Sequence, residues 1–384
     1  MRHNQYKLDF DFIKKPIYFD KNTEKEQLAY CLGATLYMPA TKNFFEVVTK
    51  QDIPGLTSIV VCFEDAIDEK NLPKAEDETL KCLHLLRDFV DSGNMSRENL
   101  PLIFFRVRTV DQFKSWIEKL SSKDYNFITG FVFPKFSSKN GGLYFSFLEE
   151  LNRRTEEPLY GMPILEGREI AFKETRWEEL KKLRKILLDF RPYVLNVRVG
   201  GTDFSSCFGV RRGIDYSIYD ILTVKDCLLD ILNFFSRDNE FVISGPVWEY
   251  FLASKEMKFD EDLEVSLQSS VLKRKKIINE AVDGLLREVI IDKANGFVGK
   301  TAIHPSHVKY INAMQAVTEE EYDDAVQILK TSGGVIKSEK ANKMNEINPH
   351  RSWAKKIYYK ALAYGVIKDE AAYIKLVSGD DFTK

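Results

Sequence analysis

The chain is poor in the residues that build closed metal clusters and covalent cross-links, with five histidines and five cysteines among 384 residues. Cys31, Cys62, Cys82, Cys207 and Cys227 are odd in number, widely spaced and free of any C-x-x-C pair. Neither a zinc site nor a disulfide framework is indicated, and the expected setting is a reducing cytoplasm. A dominant charge is missing as well, since 56 Lys and Arg stand against 58 Asp and Glu. No basic field invites nucleic acid, and no acidic tail invites a polycation. Any run of about 18 apolar residues is also absent, so no membrane-spanning helix is expected. The opening MRHNQYKLDFDFIKKP has no continuous apolar stretch of the signal-peptide kind. What remains is a chain whose 44% hydrophobic content can bury one large core and still carry an appendage.

That core is written as eight short apolar runs: ATLYMP (34–39), IVVCF (59–63), LIFFRV (102–107), ITGFVF (128–133), YGMPIL (160–165), YVLNVRV (193–199), EFVISG ending at Gly245, and GFVGKTAI (296–303). Stretches long enough for a helix lie between them. LPKAEDETLKCLHLLRDFV, EELKKLRKILLDF and YDILTVKDCLLDILNFF place apolar residues at helical spacing, and a long helix is expected near SLQSSVLKRKKIINEAVDGLLREVI. Eight alternations are the count of an α/β fold of the (β/α)8 or TIM-barrel type. The expected division is an N-terminal extension over 1–33, a barrel over 34–314 and a C-terminal helical cap over 315–384. The EKEQLAYCL stretch of the extension would cover the bottom of the barrel. In the cap, Thr318 followed by Glu321 is a capping-box signal, and Gly333 and Gly334 mark a loop before another amphipathic helix.

In such a barrel the residues just after the strands converge on the active-site mouth. Those positions hold Thr41, Glu64 and Asp65, Arg106, Lys135, Glu166, Asp203, Trp248 and His304, a mostly ionisable set. Glu166 and Asp203 follow adjacent strands. Two carboxylates that leave room for water and an oxygen-bearing substrate suit a hard divalent cation, magnesium, with manganese the alternative. Each acid alone has a plainer reading, Glu166 as a helix cap and Asp203 in an Asx-turn after Gly200 and Gly201. Arg106 interrupts an apolar strand and shares a face with Arg108, so at least one guanidinium points to the barrel axis or mouth. There it would hold a carboxylate or a thioester carbonyl, with Glu64 and Asp65 bracing it. Nothing near Lys135 argues for the desolvation that Schiff-base chemistry needs, so it joins Gly201, Thr202 and His304 as a substrate contact. Gly299, Lys300 and Thr301 fail the phosphate-loop spacing because residue 294 is Ala, which leaves Lys300 and His304 to meet a substrate phosphate or carboxylate.

Seven motifs in order, LYMPATKN, VVCFEDAIDEK, FFRVR, GFVFPK, MPILEGREI, VGGTDF and GFVGKTAIHP, resemble the citrate lyase β-subunit-like branch of the HpcH/HpaI aldolase superfamily over roughly residues 34–330. The resemblance implies magnesium held by Glu166 and Asp203, Arg106 with Glu64 and Asp65 as catalytic groups, and a homo-oligomer, trimer or hexamer. In such lyases a C-terminal cap closes over a neighbouring subunit's site and supplies an acid from a methionine-containing motif. KMNE is similar, which makes Glu346 the counterpart, with His350 beside it. Gly167 departs from the threonine that members commonly carry there. GGTDFSSCFGVRRGID, SGPVWEYF and KMNEINPHRSWA look like the divergent carbon–carbon lyase branch of tellurite-resistance-type stress operons. That leaves open whether the substrate is a free oxo or hydroxy acid or its CoA thioester. The implied activity is a magnesium-dependent carbon–carbon lyase, or the reverse aldol-type condensation, through a metal-stabilised enolate. Two rivals use the same residues: thioester hydrolysis, and a barrel in a stress-response complex that binds a ligand or partner without turnover.

Overall fold

Parallel strands covered on both faces need apolar residues without alternation, which is how the runs of this chain read. The computed structural model describes residues 1–7, 9–65, 67–251, 277–338 and 343–378. Its main sheet contains β1 (Ala34–Pro39), β2 (Ser58–Cys62), β3 (Leu102–Arg106), β4 (Gly130–Phe133), β5 (Tyr160–Leu165), β6 (Arg198–Val199) and β7 (Lys300–Ala302). All neighbours pair in parallel, in the order β6-β5-β4-β3-β2-β1-β7. Every residue of β2, β3, β4 and β5 is buried.

The run EFVISG, expected as a strand, makes only single bridges, Ile243 to Val197 and Gly245 to Lys300. Those bridges still close the ring. The Ser244 amide donates to Val197 O (3.0 Å), the Gly245 amide to Gly299 O (3.0 Å) and the Val298 amide to Ile243 O (2.8 Å). Pro246 follows and has no N–H with which to extend the ladder. Buried ion pairs reinforce this seam. Lys300 is fully buried between Asp292 (2.7 Å) and Glu288 (3.1 Å), and Arg212 joins Glu288 to Glu249. Lys300 is therefore a structural cation and not the substrate contact expected of it. Gly245 passes so close that a Cβ would lie 2.5 Å from Asp292 Oδ2.

Helices alternate with the strands: Phe44–Lys50, Leu72–Asp91, Val110–Lys119, Gly141–Asn152, Lys173–Asp189, Leu222–Phe235, Glu280–Ala294 and His307–Met314. Asn43, Thr109 and Asn279 cap three of them by accepting amide hydrogens of the first turn. The first part of the helix expected near SLQSSVLKRKKIINEAVDGLLREVI lies outside the described residues. Trp248, expected at the mouth, is instead core, packed against Gly284 and under the Arg212 guanidinium (4.7 Å). No described helix is long and apolar enough to cross a membrane, and all five cysteines are free.

Helix His307–Met314 carries the chain back to the strand-start end of the barrel, and the tail packs there. Helices Glu319–Lys330 and Ile347–Tyr364 share a small apolar core of Val317, Ala325, Ile328, Ile347, Ala354, Ile357, Ala361 and Val366. The capping box is present: the Glu321 amide donates to Thr318 Oγ1 (3.3 Å) and the Thr318 amide to Glu321 Oε2 (3.0 Å). Tyr364 stacks on His3 (4.4 Å), the Ile17 amide donates to Leu362 O (2.9 Å), and Lys356 Nζ donates to Gly296 O (3.0 Å). Each of these partners precedes a strand, so extension and tail lie together beneath the barrel. Among the described residues, the chain's own tail does not cover its own mouth.

Candidate metal centre at the barrel mouth

Six of the strand-end residues meet. Arg106, the last residue of β3, is 8% exposed, and its Nη2 lies 2.5 Å from Glu64 Oε2, 3.2 Å from Asp65 Oδ2 and 3.4 Å from Glu166 Oε1. The other nitrogens are less engaged. Nη1 reaches only Cys62 Sγ (4.0 Å), and the buried Nε has no acceptor. The guanidinium is thus braced through one corner with donors to spare. Arg108 is the structural arginine of the pair, donating to Ile67 O (2.8 Å).

Glu166 does not cap the following helix. It is 4% exposed, and its Oε1 accepts the Lys135 amide (2.8 Å). Lys135 holds a left-handed φ of +47°, an uncommon conformation for a residue with a side chain and one that concentrates at functional sites. Its ammonium pairs with Asp203 Oδ1 and lies 3.7 Å from Glu166 Oε1 and 3.9 Å from Glu64 Oε1. Asp203 sits in the first turn of the Gly201–Cys207 helix, which starts where β6 ends. Between the two acids is Gly200. A Cβ there would lie 2.5 Å from Glu166 Oε2 and 3.2 Å from Asp203 Oδ2, so glycine keeps a gap that both carboxylates face.

Charge sharpens the picture. Four carboxylates, Glu64, Asp65, Glu166 and Asp203, face Arg106 and Lys135, with the Arg198 guanidinium on the same cavity, so acids outnumber cations at the mouth. Burial pushes the Glu166 carboxyl up to about 7, Asp203 adding to the rise while Arg106 and Lys135 oppose it. Burial likewise raises Glu64. For Asp65, burial is outweighed by the hydrogen bond with Glu64 and by Arg106, and its carboxyl is held below the usual range. Burial opposes the Lys135 charge too, but Glu166, Asp203 and Glu64 overcome it and hold the ammonium well above the ordinary lysine value. A lysine held charged in this way is no Schiff-base nucleophile.

A divalent cation fits this donor set, because the Gly200 gap has two carboxylates on it and acids outnumber cations around it. Among the described residues no group of three or more His, Cys, Asp or Glu side chains forms a closed metal cage. Two carboxylate donors alone on the Gly200 gap suit magnesium and its retained waters better than zinc.

A cavity of about 320 Å³ opens at this end, lined by Arg106, Asp65, Glu166 and Asp203, and by Gly201 and Thr202 as expected. His304 is not among its lining residues. Its ring is partly exposed, stacked on Phe251 (4.1 Å) and bonded through Nδ1 to Ser306 Oγ (2.7 Å). The buried, backbone-bonded histidine of this region is His307, whose Nε2 meets Tyr250 O (3.1 Å). Glu346 is also absent from the mouth. It lies exposed in an antiparallel pair with Val335, its amide donating to His350 Nδ1 (3.1 Å), in the tail beneath the barrel. Tyr37, Arg198 and Glu249 line the cavity and were not picked out from the sequence. Arg198 carried the signal that singled out Arg106, a charge inside an apolar run.

Parallel strands closed into a ring, with acids, an arginine and a lysine gathered where the strands end, define a barrel of the enzyme type. The chain belongs to the C-C_Bond_Lyase family of the TIM-barrel fold, whose model matches residues 26–366. Among solved structures, it is similar to CitE from Mycobacterium tuberculosis in complex with magnesium, acetoacetate and coenzyme A (16% identity, 86% of this chain and 97% of that chain, TM-score 0.48). It is also similar to RipC from Yersinia pestis (14%, 74% and 95%, 0.46) and to a citrate lyase beta subunit from M. tuberculosis complexed with oxaloacetate and magnesium (17%, 74% and 97%, 0.44). No curated protein matches the chain.

Proposed function

We propose that this chain is a divalent-cation-dependent carbon–carbon lyase, or catalyses the reverse condensation, acting on an oxo or hydroxy acid or its CoA thioester. The observation that supports this most is the Gly200 gap, faced by Glu166 and Asp203 in a cluster where acids outnumber cations. Magnesium held by those two carboxylates would supply Lewis-acid stabilisation of the negative charge that builds on substrate oxygen as the carbon–carbon bond breaks.

The chain's own groups do the rest. Arg106, on the cavity wall, would offer its guanidinium to a substrate carbonyl or carboxylate, and Glu64 and Asp65 brace it. Lys135 contributes fixed positive charge. Gly201 and Thr202, at the start of their helix, hold the substrate from the β6 side. In the cleavage direction the hydroxyl gives up its proton while the electron pair of the broken bond passes to the departing carbon fragment, which is then reprotonated. The proton would pass to water at the mouth or to Glu346, the latter only if a second subunit brings its tail over this mouth, since the chain's own Glu346 is not among the residues lining the cavity. The active form on this reading is a homo-oligomer of cytoplasmic subunits, trimer or hexamer.

Product analysis with magnesium and a panel of oxo and hydroxy acids and their CoA thioesters tests the reading. A lyase yields a new carbonyl compound. Release of only free acid and thiol would show a hydrolase, and ligand binding without turnover would show a non-catalytic barrel.

A further inference from the structure

Four arginines are buried among the described residues, and three of them have carboxylate partners. Arg106 has the acids of the mouth, Arg176 has Asp226 (2.7 Å) and Asp230 (2.9 Å), and Arg212 has Glu249 (2.5 Å) and Glu288. Arg198 is the fourth, only 1% exposed, and its partners are neutral. Nη1 donates to Thr35 Oγ1 (3.2 Å) and Nη2 to Thr301 Oγ1 (2.6 Å), the guanidinium lies 5.4 Å from the centre of the Tyr37 ring, and the buried Nε has no acceptor. Thr35 is on β1 and Thr301 on β7, so the side chain of this β6 residue reaches across the barrel interior. It also lines the cavity that holds Glu166 and Asp203. A guanidinium does not shed its proton inside a protein, and a buried one without an anion keeps its full desolvation cost. Arg106 cannot relieve it, being of like charge. The missing partner is an oxyanion, and the cavity that Arg198 lines leaves room for it.

We propose that Arg198 is a specificity-determining residue that binds a second anionic group of the ligand, a carboxylate, so that the mouth selects dianionic acids over monoanionic ones. The proposal deepens the lyase reading and rests on it for where the reacting end of the ligand lies. Charge at both ends of the substrate is then read by two arginines, Arg106 beside the cation site and Arg198 beneath it.

The test measures binding of malonate, acetate and inorganic phosphate to the full chain by calorimetry, with and without magnesium, for wild type, Arg198→Met and Arg198→Lys. Malonate is expected to bind wild type at least about tenfold more tightly than acetate, the lower end of what one hydrogen bond to a charged group contributes. Arg198→Met should abolish that preference while leaving acetate binding unchanged, and Arg198→Lys should keep part of it. Arg198→Met is also expected to unfold at no lower denaturant concentration than wild type, since it removes an unpaired buried cation and keeps most of the volume. A preference for malonate in neither condition, or one that survives Arg198→Met, overturns the proposal. Arg198-dependent binding of phosphate without malonate would overturn the dicarboxylate assignment in favour of a phosphorylated ligand. Failure of the lyase reading looks different: magnesium alone gives no heat, while the Arg198-dependent preference persists.

Discussion

Replacing Gly200 by alanine puts a single methyl group into the gap on which the cation assignment rests. The backbone there has φ −101° and ψ 80°, a negative φ that alanine tolerates, so any effect comes from space and not from conformation. The new Cβ would sit 2.5 Å from Glu166 Cβ and Oε2 and 3.2 Å from Asp203 Oδ2. Glu166 has little freedom to yield, because it is buried and its Oε1 is held by the Lys135 amide and by Arg106. Overpacking of this kind costs about 1–3 kcal/mol of stability. Displacing a ligand from its geometry should weaken cation binding on the order of 10–100-fold. Urea unfolding reads the first quantity, and electron paramagnetic resonance with manganese as the spin probe reads the second. A folded Gly200→Ala protein that binds manganese as tightly as wild type would refute the argument, because the ion could not then lie between these two carboxylates.

Other expectations concern the substrate, the oligomer and pH. Arg106→Lys keeps the charge but loses the planar fork, so kcat/KM should fall by about 10²-fold or more with cation affinity nearly intact; wild-type kinetics would make Arg106 purely structural. Mixing Glu346→Gln with Glu166→Gln protein should restore part of the activity through hybrid oligomers, and no restoration would remove Glu346 of the partner subunit from the mechanism. Burial lowers the His3 imidazole to about 3 in the folded chain, against about 6.5 unfolded. A histidine depressed in this way favours folding fully above pH 6.5 and progressively less as pH falls towards 3. At pH 5 the loss is about 2 kcal/mol, so His3→Gln should flatten the stability profile between pH 6.5 and 5, and an unchanged slope would contradict this burial effect.

Much of the barrel is legible from residue order alone, because fully buried parallel strands must be apolar runs and seven of the eight runs contain ladder strands. The eighth, EFVISG, has the right composition, but Gly245 and Pro246 limit it to bridges, and what closes the ring there is the buried Lys300, Glu288 and Arg212 network. The mouth was legible for a geometric reason: residues at strand ends converge whatever the loops do. Residues further from the strand ends were less so. His304 and Lys300 lie close together in sequence, but one turns outward and the other is sealed among acids. Glu346 follows a motif that does not say at which end of the barrel it sits, and the short return helix His307–Met314 decides that. Arg198 shows the converse: a charge within an apolar run points into the barrel and reaches the cavity although it precedes the end of its strand.

The central claim is that Glu166 and Asp203 together hold one divalent cation, and calorimetric titration of magnesium into wild type, Glu166→Gln and Asp203→Asn tests it most directly. One site is expected in wild type, with binding lost or weakened at least about 100-fold in each variant, since each exchange removes one of the two charged oxygen donors that face the Gly200 gap. Unchanged magnesium affinity in either variant would contradict the account.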